Sequence, residues 1–141
     1  MIEEAKNRRE QIAAILSAEN LPVDDLPETL DNFLVATGTG KLIGVVGLEI
    51  YGGYGLLRSL AVLPGYRNKG IAGKLIERLE SLAASKGLNE LYLLTETAPE
   101  YFAGKAFQKI TRDEVPQEVK QSSEFRHVCP VSAIVMKKSI Q

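Results

Sequence analysis

The feature that most restricts the fold is a short apolar strand that leads, through a proline and several glycines, into an amphipathic helix. The segment reads Leu60-Ala61-Val62-Leu63-Pro64-Gly65-Tyr66-Arg67-Asn68-Lys69-Gly70-Ile71-Ala72-Gly73-Lys74-Leu75. Apolar residues recur every three or four positions from Ile71 to Leu82, which predicts a helix with one buried face. Glycines at the start of a helix leave backbone N–H groups open at the positive end of the helix dipole. The segment therefore predicts an anion site, to which Arg67, Lys69 and Lys74 add positive charge.

Length, composition and charge restrict the class of protein. The chain has 141 residues, 45% apolar and 25% charged, which suits one globular domain with one core. A net charge of −1, from 17 basic and 18 acidic residues, does not favour nucleic-acid binding. The charged opening segment is unlike a secretory signal, no apolar run approaches the roughly 20 residues of a membrane span, and the lone cysteine fits a reducing compartment. We expect a single cytoplasmic domain over residues 1–141 without nucleic-acid or membrane partners.

Apolar periodicity predicts an α/β fold. The predicted helices cover residues 3–18, 69–85, a short stretch from 99, and 114–120; the predicted strands cover 33–36, 42–51, 56–63, 91–94, 107–111 and 131–137. Tight turns make the early strands antiparallel, whereas strands joined through helices can run parallel. We expect a mixed, mostly antiparallel central sheet with helices on both faces. Since helix signals begin almost at Met1, the first strand is short or absent, which leaves an edge that a homodimer could cover.

Spacing excludes two common phosphate-binding loops. A Walker A loop needs lysine directly after its last glycine; Gly65 and Gly70 have the required separation, but Ile71 stands where the lysine should be. A dinucleotide fingerprint needs a G-x-G-x-x-G run that enters a helix, and neither G-x-G pair of the chain continues in that way. The remaining pattern is R-x-x-G-x-A-G after a strand that ends in L-A-V-x-P.

This pattern resembles the acetyl-CoA signature of the GNAT family of N-acetyltransferases, and the order of elements is similar over nearly the whole chain. The resemblance implies acetyl-CoA as co-substrate and a sheet splayed between the strand before the loop and the strand at 91–95. The pantetheine arm of acetyl-CoA would pair with backbone groups of Leu60, Ala61 and Val62, and an N–H of this strand would face the thioester oxygen. The pyrophosphate would contact residues of the loop and the helix start: Arg67, Asn68, Lys69, Gly70, Ile71, Ala72, Gly73 and Lys74.

The distal part of the chain resembles a narrower group. The runs E-Y-F-A-G-K-A-F at 100–107, V-P at 115–116, S-x-E-F at 122–125 and C-P-x-S-A at 129–133 are similar to acetyltransferases encoded in arsenic-resistance operons. The acetyltransferase domain of N-acetylglutamate synthases is a more distant likeness. The resemblance implies a small amino-acid-like acceptor, glutamate-like or an arsenical or phosphonic analogue, whose amine attacks acetyl-CoA directly in a ternary complex.

Two glutamates are candidate general bases. An amine with a pKa of about 8–10 is mostly protonated at neutral pH, so a base must take its proton before attack. Glu49 and Glu96 lie on or after predicted strands near the expected cleft. Glu96 follows the end of a buried strand, where ligands of α/β sheets bind, and is the preferred candidate. A solvated charge at a strand edge remains the alternative for both residues.

The proton donor departs from the family pattern. Many members have F-Y-x-x-x-G-F, with the tyrosine near the sulfur of coenzyme A. Here Phe102 stands in the place of the tyrosine and Ala106 in that of the glycine, so Phe102 would contact the cofactor but cannot donate a proton. A thiolate with a pKa of about 8.5 can leave without that help. Two alternatives remain open: a non-catalytic acyl-CoA-binding module and an acetyltransferase acting on protein amines.

Candidate acceptor contacts come from isolated polar residues. Arg58 interrupts an apolar strand, so it should face a cleft or a partner acid. In a cleft it could bind a substrate carboxylate with two hydrogen bonds; the alternative is an arginine that faces solvent. Arg126 and Ser132 are weaker candidates for the same contact. His127 and Cys129 supply too few ligands for a metal site, so we expect no metal, and Cys129 is predicted to be a core residue.

Overall fold

The computed structural model describes residues 1–128 and 132–140. Its strands are β1 (Ile2–Glu4), β2 (Phe33–Gly38), β3 (Lys41–Tyr51), β4 (Tyr54–Val62), β5 (Glu90–Thr95), β6 (Gln108–Ile110) and β7 (Ile134–Ser139). Its α-helices are α1 (Arg9–Ala18), α2 (Ile71–Ser85), α3 (Pro99–Ala103) and α4 (Gln117–Lys120).

The strands form a mixed sheet in the order β1-β2-β3-β4-β5-β7-β6. The pairs β1–β2, β2–β3, β5–β7 and β6–β7 are antiparallel, whereas β4 and β5 run parallel because α2 returns the chain between them. The predicted α/β fold with a mostly antiparallel sheet is confirmed.

The first strand exists and is short. β1 pairs in register with β2, with Ile2 opposite Ala36 and Glu4 opposite Leu34. The prediction of a helix from residue 3 was therefore wrong at its start, since α1 begins at Arg9. Three residues with one apolar side chain carry no period-2 pattern, so pairing with β2 decides their conformation. The second correction is at residues 114–120, where the helical part is α4 alone and a 3-10 turn, Arg112–Glu114, precedes it.

The chain divides into two compact units, each with its own apolar cluster. The first comprises residues 1–48 and 58–82. In it α1 buries Ile12, Ile15 and Leu16, which lie on one face at helical spacing, against Phe33 and Val35 of β2. Three partly buried residues of the segment after α1 complete this cluster: Leu21, Val23 and Leu26.

Two glycines of β3 lie where neighbouring elements of the first unit pack closely. A Cβ on Gly47 would overlap the ring of Phe33, its partner in the β2–β3 register. A Cβ on Gly44 would lie 3.2 Å from the carbonyl oxygen of Ala61 and 3.2 Å from Leu75 of α2. The absence of both side chains allows neighbouring elements to approach β3 closely.

The second unit comprises residues 49–57 and 83–141. Its cluster consists of buried residues from three strands, β4, β5 and β7, and from the segment between β6 and β7: Leu56, Tyr92, Val115, Val119 and Val135. Burial, together with the carboxylate of Glu90 that accepts its hydroxyl at 2.9 Å, raises the pKa of Tyr92. Lys137 of β7 also pairs with Glu90 at 2.9 Å, which fastens β5 to β7 at the edge of the cluster.

Within the described ranges, every helix is too short or too polar to cross a lipid bilayer.

Candidate active site

The strand–loop–helix segment forms an open backbone site at the start of α2. A 3-10 turn, Pro64–Tyr66, follows β4, and then Asn68 and Gly70 take left-handed conformations with φ +63° and +78°. We call residues 67–74 the glycine loop. Helical geometry leaves the N–H groups of residues 71–73 without acceptors inside α2, while the N–H of Lys74 bonds to the carbonyl of Gly70 at 3.1 Å. The loop therefore presents free N–H groups at the positive end of a helix of 15 residues.

Arg67 is held against the end of β4. Its Nε donates to the carbonyl oxygen of Val62 at 3.1 Å, and its Nη2 pairs with the carboxylate of Glu19, the residue that follows α1. Lys69 is exposed, with Nζ 5.9 Å from the centre of the Tyr66 ring. Lys74 is also exposed. The three predicted cations thus lie in or beside the glycine loop, where an anion could reach them.

The strand before the loop contains a left-handed residue. Ser59 has φ +59° in the middle of β4 and is 7% exposed. A non-glycine residue in this region is strained, and such residues cluster at functional sites. Ala61 and Val62 after it are buried, and Leu60 is half-buried. The predicted pairing of these three backbones with pantetheine stays a prediction.

Arg58 is buried and paired. Its guanidinium donates through Nη1 and Nη2 to the two carboxylate oxygens of Asp25, at 2.9 and 2.8 Å, and its Nε donates to Ser59 Oγ at 2.9 Å. The exposed fraction of its side chain is 0%, and that of Asp25 is 8%. A substrate carboxylate could bind Arg58 only by displacing Asp25.

The two candidate bases have different surroundings. Glu49 lies on β3, half-buried, and accepts a hydrogen bond of 2.5 Å from the hydroxyl of Tyr51. Glu96 is exposed and lies directly after β5. The Tyr51 hydroxyl thus occupies one carboxylate oxygen of Glu49.

Phe102 is packed by other aromatic rings. It is 7% exposed and lies edge-on to Tyr101 and Phe107, with ring centres 5.5 and 5.8 Å away. The N–H of Phe107 returns to the carbonyl of Phe102 at 3.0 Å, and the N–H of Ala106 to that of Ala103 at 3.1 Å. This is a Schellman ending of α3, and its left-handed position is Ala106, with φ +73°. Alanine thus occupies a position that strongly favours glycine.

The distal candidates are at the surface. Arg126 and Ser132 are exposed, whereas Ser122 and Glu124, which precede Arg126, are buried. The predicted core position of Cys129 and the side chain of His127 lie outside the described residues. Among the residues that are described, no three His, Cys, Asp or Glu side chains are placed to hold a metal ion.

Sequence reasoning missed two residues of this region, Asp25 and Ser59. Asp25 lies 33 positions before its partner Arg58, so no local pattern joins them. Ser59 reads as an ordinary strand residue, and its left-handed backbone has no signal in the sequence. The arginine within an apolar strand predicted a cleft or a partner acid, but nothing in the sequence identified Asp25 as that acid.

Comparison with known proteins identifies relatives. The sequence model described as "Acetyltransferase (GNAT) family" matches residues 4–110. An uncharacterized N-acetyltransferase of Chlorobaculum tepidum is 33% identical over 98 residues, which is 69% of this chain and 63% of the relative. An amino-acid acetyltransferase of Ralstonia nicotianae is 27% identical over 115 residues, 80% of this chain and 25% of the relative. The chain thus spans less than two thirds of the length of either relative.

Solved structures share the fold. N-acetylglutamate synthase of Neisseria gonorrhoeae, complexed with coenzyme A and N-acetyl-glutamate, superposes with a TM-score of 0.85 at 21% identity, over 100% of this chain and 35% of that one. A Mycobacterium tuberculosis protein in complex with CoA gives 0.84 at 22% identity, over 99% and 98% of the two chains. The arsenic-resistance subgroup stays a prediction. With the family match over residues 4–110, these observations lead to one conclusion: the chain belongs to the acetyltransferase (GNAT) family.

Proposed function

We propose that this protein transfers the acetyl group of acetyl-CoA to the amine of a small amino-acid-like acceptor. The observation that carries the proposal is the glycine loop, whose N–H groups at the start of α2 form an anion site in a family that uses acetyl-CoA as co-substrate. The amino-acid acceptor is supported by relatives named amino-acid acetyltransferases and by the fold shared with N-acetylglutamate synthase.

The donor would bind in two parts. The pyrophosphate would accept hydrogen bonds from the N–H groups of the glycine loop, and Arg67, Lys69 and Lys74 would balance its charge. The pantetheine arm would extend along the backbone of residues 60–62, with one N–H directed at the thioester oxygen. That N–H would stabilise the negative charge that develops on this oxygen during attack.

Transfer then requires a neutral amine. The proposed base is Glu96, since Glu49 already accepts the hydroxyl of Tyr51. The amine nitrogen attacks the carbonyl carbon and the C–S bond breaks. The nitrogen then gives its second proton to solvent as the amide forms, and the leaving thiolate is protonated by water. Holding the amine and the thioester in line can supply about 7–11 kcal/mol of the barrier reduction, so the reaction does not depend on a tyrosine at position 102.

The acceptor carboxylate would bind at Arg126 and Ser132, which are open to solvent, rather than at Arg58, whose guanidinium is already paired with Asp25. A single arginine–carboxylate pair at an exposed site adds little affinity by itself. We therefore expect the Kd of the acceptor to lie in the millimolar rather than the nanomolar range.

A second candidate function is non-catalytic binding of an acyl-CoA. It is favoured by Phe102, which is buried among rings and has no hydroxyl to give to a leaving thiolate. A third candidate function is acetylation of a protein amine.

Release of free coenzyme A thiol from acetyl-CoA separates these functions. The acceptors to test are amino acids, their phosphonic and arsenical analogues, and a lysine-containing peptide. Thiol release that depends on an amino acid, and that Glu96→Gln lowers at least tenfold, supports the proposal. Tight binding of acetyl-CoA with no release for any amine would leave the binding module, and release with the peptide alone would favour a protein acceptor.

The donor site has its own test. Calorimetry should show acetyl-CoA binding to Arg67→Ala several-fold more weakly than to wild type, because a charged contact is lost. Arg78→Ala is the matched control, since Arg78 is also exposed but lies two turns into α2. Equal affinities of the two variants would remove Arg67 from the donor site.

A further inference from the structure

A buried hydrogen-bonded chain joins the segment after α1 to the middle of β4. Asp25 accepts from both terminal nitrogens of Arg58, at 2.9 and 2.8 Å, and its backbone carbonyl accepts a further bond from Nη1 at 3.3 Å. On the other side of the guanidinium, Nε donates to Ser59 Oγ at 2.9 Å. The chain Asp25–Arg58–Ser59 thus ends on the one residue of β4 whose backbone is left-handed. We call these three residues the buried network.

The left-handed conformation of Ser59 must be stabilised by contacts with other residues. A left-handed backbone is unfavourable for a residue with a Cβ, and it persists only where its surroundings impose it. Glycine would adopt φ +59° without strain, but it has no acceptor for the Nε of Arg58. The serine hydroxyl accepts that hydrogen bond and ties the strained residue to a guanidinium that Asp25 holds in place.

Stability alone does not account for the network. Buried ion pairs cost desolvation, and apolar residues of similar volume often replace them without loss of stability. Both charged members are almost wholly buried, with exposed fractions of 0% and 8%. A network of this kind is better explained by what it orients than by what it stabilises.

What the network would orient is the backbone that follows Ser59. If Ser59 relaxed from φ +59° to an ordinary strand value near −120°, the chain after it would rotate by about 180° about that bond. Rotation of this size would redirect the N–H and C=O groups of residues 60–62. Those are the groups along which the pantetheine arm and the thioester are proposed to lie.

We propose that Asp25, Arg58 and Ser59 are positioning residues, which lock the left-handed backbone at Ser59 and thereby direct the N–H and C=O groups of residues 60–62 toward the acetyl donor. The inference rests on the proposed function. It gives Arg58 a role through the backbone of β4 rather than through a substrate carboxylate.

Two substitutions at one position separate backbone direction from every other effect. Ser59→Ala removes the hydroxyl and keeps the Cβ, so the left-handed backbone loses its hold. Ser59→Gly also removes the hydroxyl but makes that backbone free of strain. We expect Ser59→Ala to lower kcat about tenfold, which is about 1.4 kcal/mol of barrier, and Ser59→Gly to stay within about threefold of wild type.

Thr39 provides the matched control. It is also a non-glycine hydroxyl residue with a left-handed backbone, φ +52°, but it lies in the exposed β2–β3 turn. Thr39→Ala and Thr39→Gly should leave kcat and the KM for acetyl-CoA unchanged. Wild-type kcat in Ser59→Ala would overturn the proposal, and so would equal losses in Ser59→Ala and Ser59→Gly, since the hydroxyl itself would then be the functional group.

Asp25→Asn tests the far end of the network, provided that circular dichroism and thermal melting establish a folded variant. A kcat loss like that of Ser59→Ala supports the assignment, and an unchanged kcat would remove Asp25 from it.

Amide hydrogen exchange of the unliganded protein tests the inference independently of the proposed function. Residues 60–62 should exchange faster in Ser59→Ala than in wild type or Ser59→Gly, even if no acceptor is ever acetylated; equal exchange in all three would overturn it.

Discussion

Replacing Ala106 with glycine should stabilise the protein, because this alanine holds a backbone conformation that glycine adopts without strain. Ala106 has φ +73° at the left-handed position of the Schellman ending of α3. That conformation costs a residue with a Cβ about 1–2 kcal/mol. Glycine gives back about 0.5–1 kcal/mol through the greater freedom of its unfolded chain. The expected net gain in the free energy of unfolding is about 0.5–1 kcal/mol.

Thermal and urea unfolding would measure this gain. For a chain of 141 residues it corresponds to a rise in Tm of about 2–3 °C. The matched control is Ala103→Gly, the same chemical change at an exposed position inside α3, which should lower stability by about 0.5–1 kcal/mol. If Ala106→Gly were no more stable than wild type while Ala103→Gly behaved as expected, the inference of strain at Ala106 would be refuted.

Three further predictions follow from the backbone and from charge. Gly87→Ala should lower the free energy of unfolding by about 1 kcal/mol, because Gly87 follows α2 with φ +79°, a backbone conformation that is strained for alanine. A Cβ there would meet no atom within 4 Å, so backbone strain is the only cost. Gly70→Ala, at φ +78°, should weaken acetyl-CoA binding several-fold in calorimetry, whereas Gly65→Ala, also in open space, should not; equal affinities would contradict the role of the loop backbone. Burial alone would raise the pKa of Glu90, but hydrogen bonds from Lys137 and Tyr92 and the charge of Lys137 hold it below its ordinary value of 4.5. A carboxyl whose pKa is lower in the folded than in the unfolded state contributes stability that is present above the unfolded pKa and is lost as the pH falls. Urea titrations should therefore show that Lys137→Met loses less stability than wild type between about pH 6 and pH 3. Parallel plots of stability against pH for the two proteins would exclude the pairing of Glu90 with Lys137.

The glycine loop and α2 could be predicted from sequence because their signals are local. Glycine spacing, the proline break and the apolar repeat from Ile71 onward all lie within 20 residues, and they agree with one another. The tight turn between β2 and β3 is local in the same way, since Thr39 and Gly40 both have positive φ, as a type I′ two-residue turn requires.

The features that could not be predicted from the sequence depend on contacts between distant segments. β1 has three residues and forms because it pairs with β2, 30 to 34 positions away. The partner of Arg58 could not be identified either, since its guanidinium pairs with Asp25, 33 positions earlier. Neither contact has a short-range pattern, since each depends on which segments the fold brings side by side.

The family and the donor follow from the sequence alone, because the R-x-x-G-x-A-G pattern after an L-A-V-x-P strand resembles the GNAT signature and the family model matches residues 4–110. The proposed anion site is equally local, since it rests on backbone N–H groups at a helix start, which glycine spacing and helical geometry expose. The tertiary structure decided which side chains remain available for chemistry. It buried Arg58 against Asp25, tied Ser59 into a left-handed backbone and packed Phe102 between two rings. These outcomes depend on long-range packing, in which a charge must find a partner before it can be buried, and the order of residues along the chain does not specify that partner.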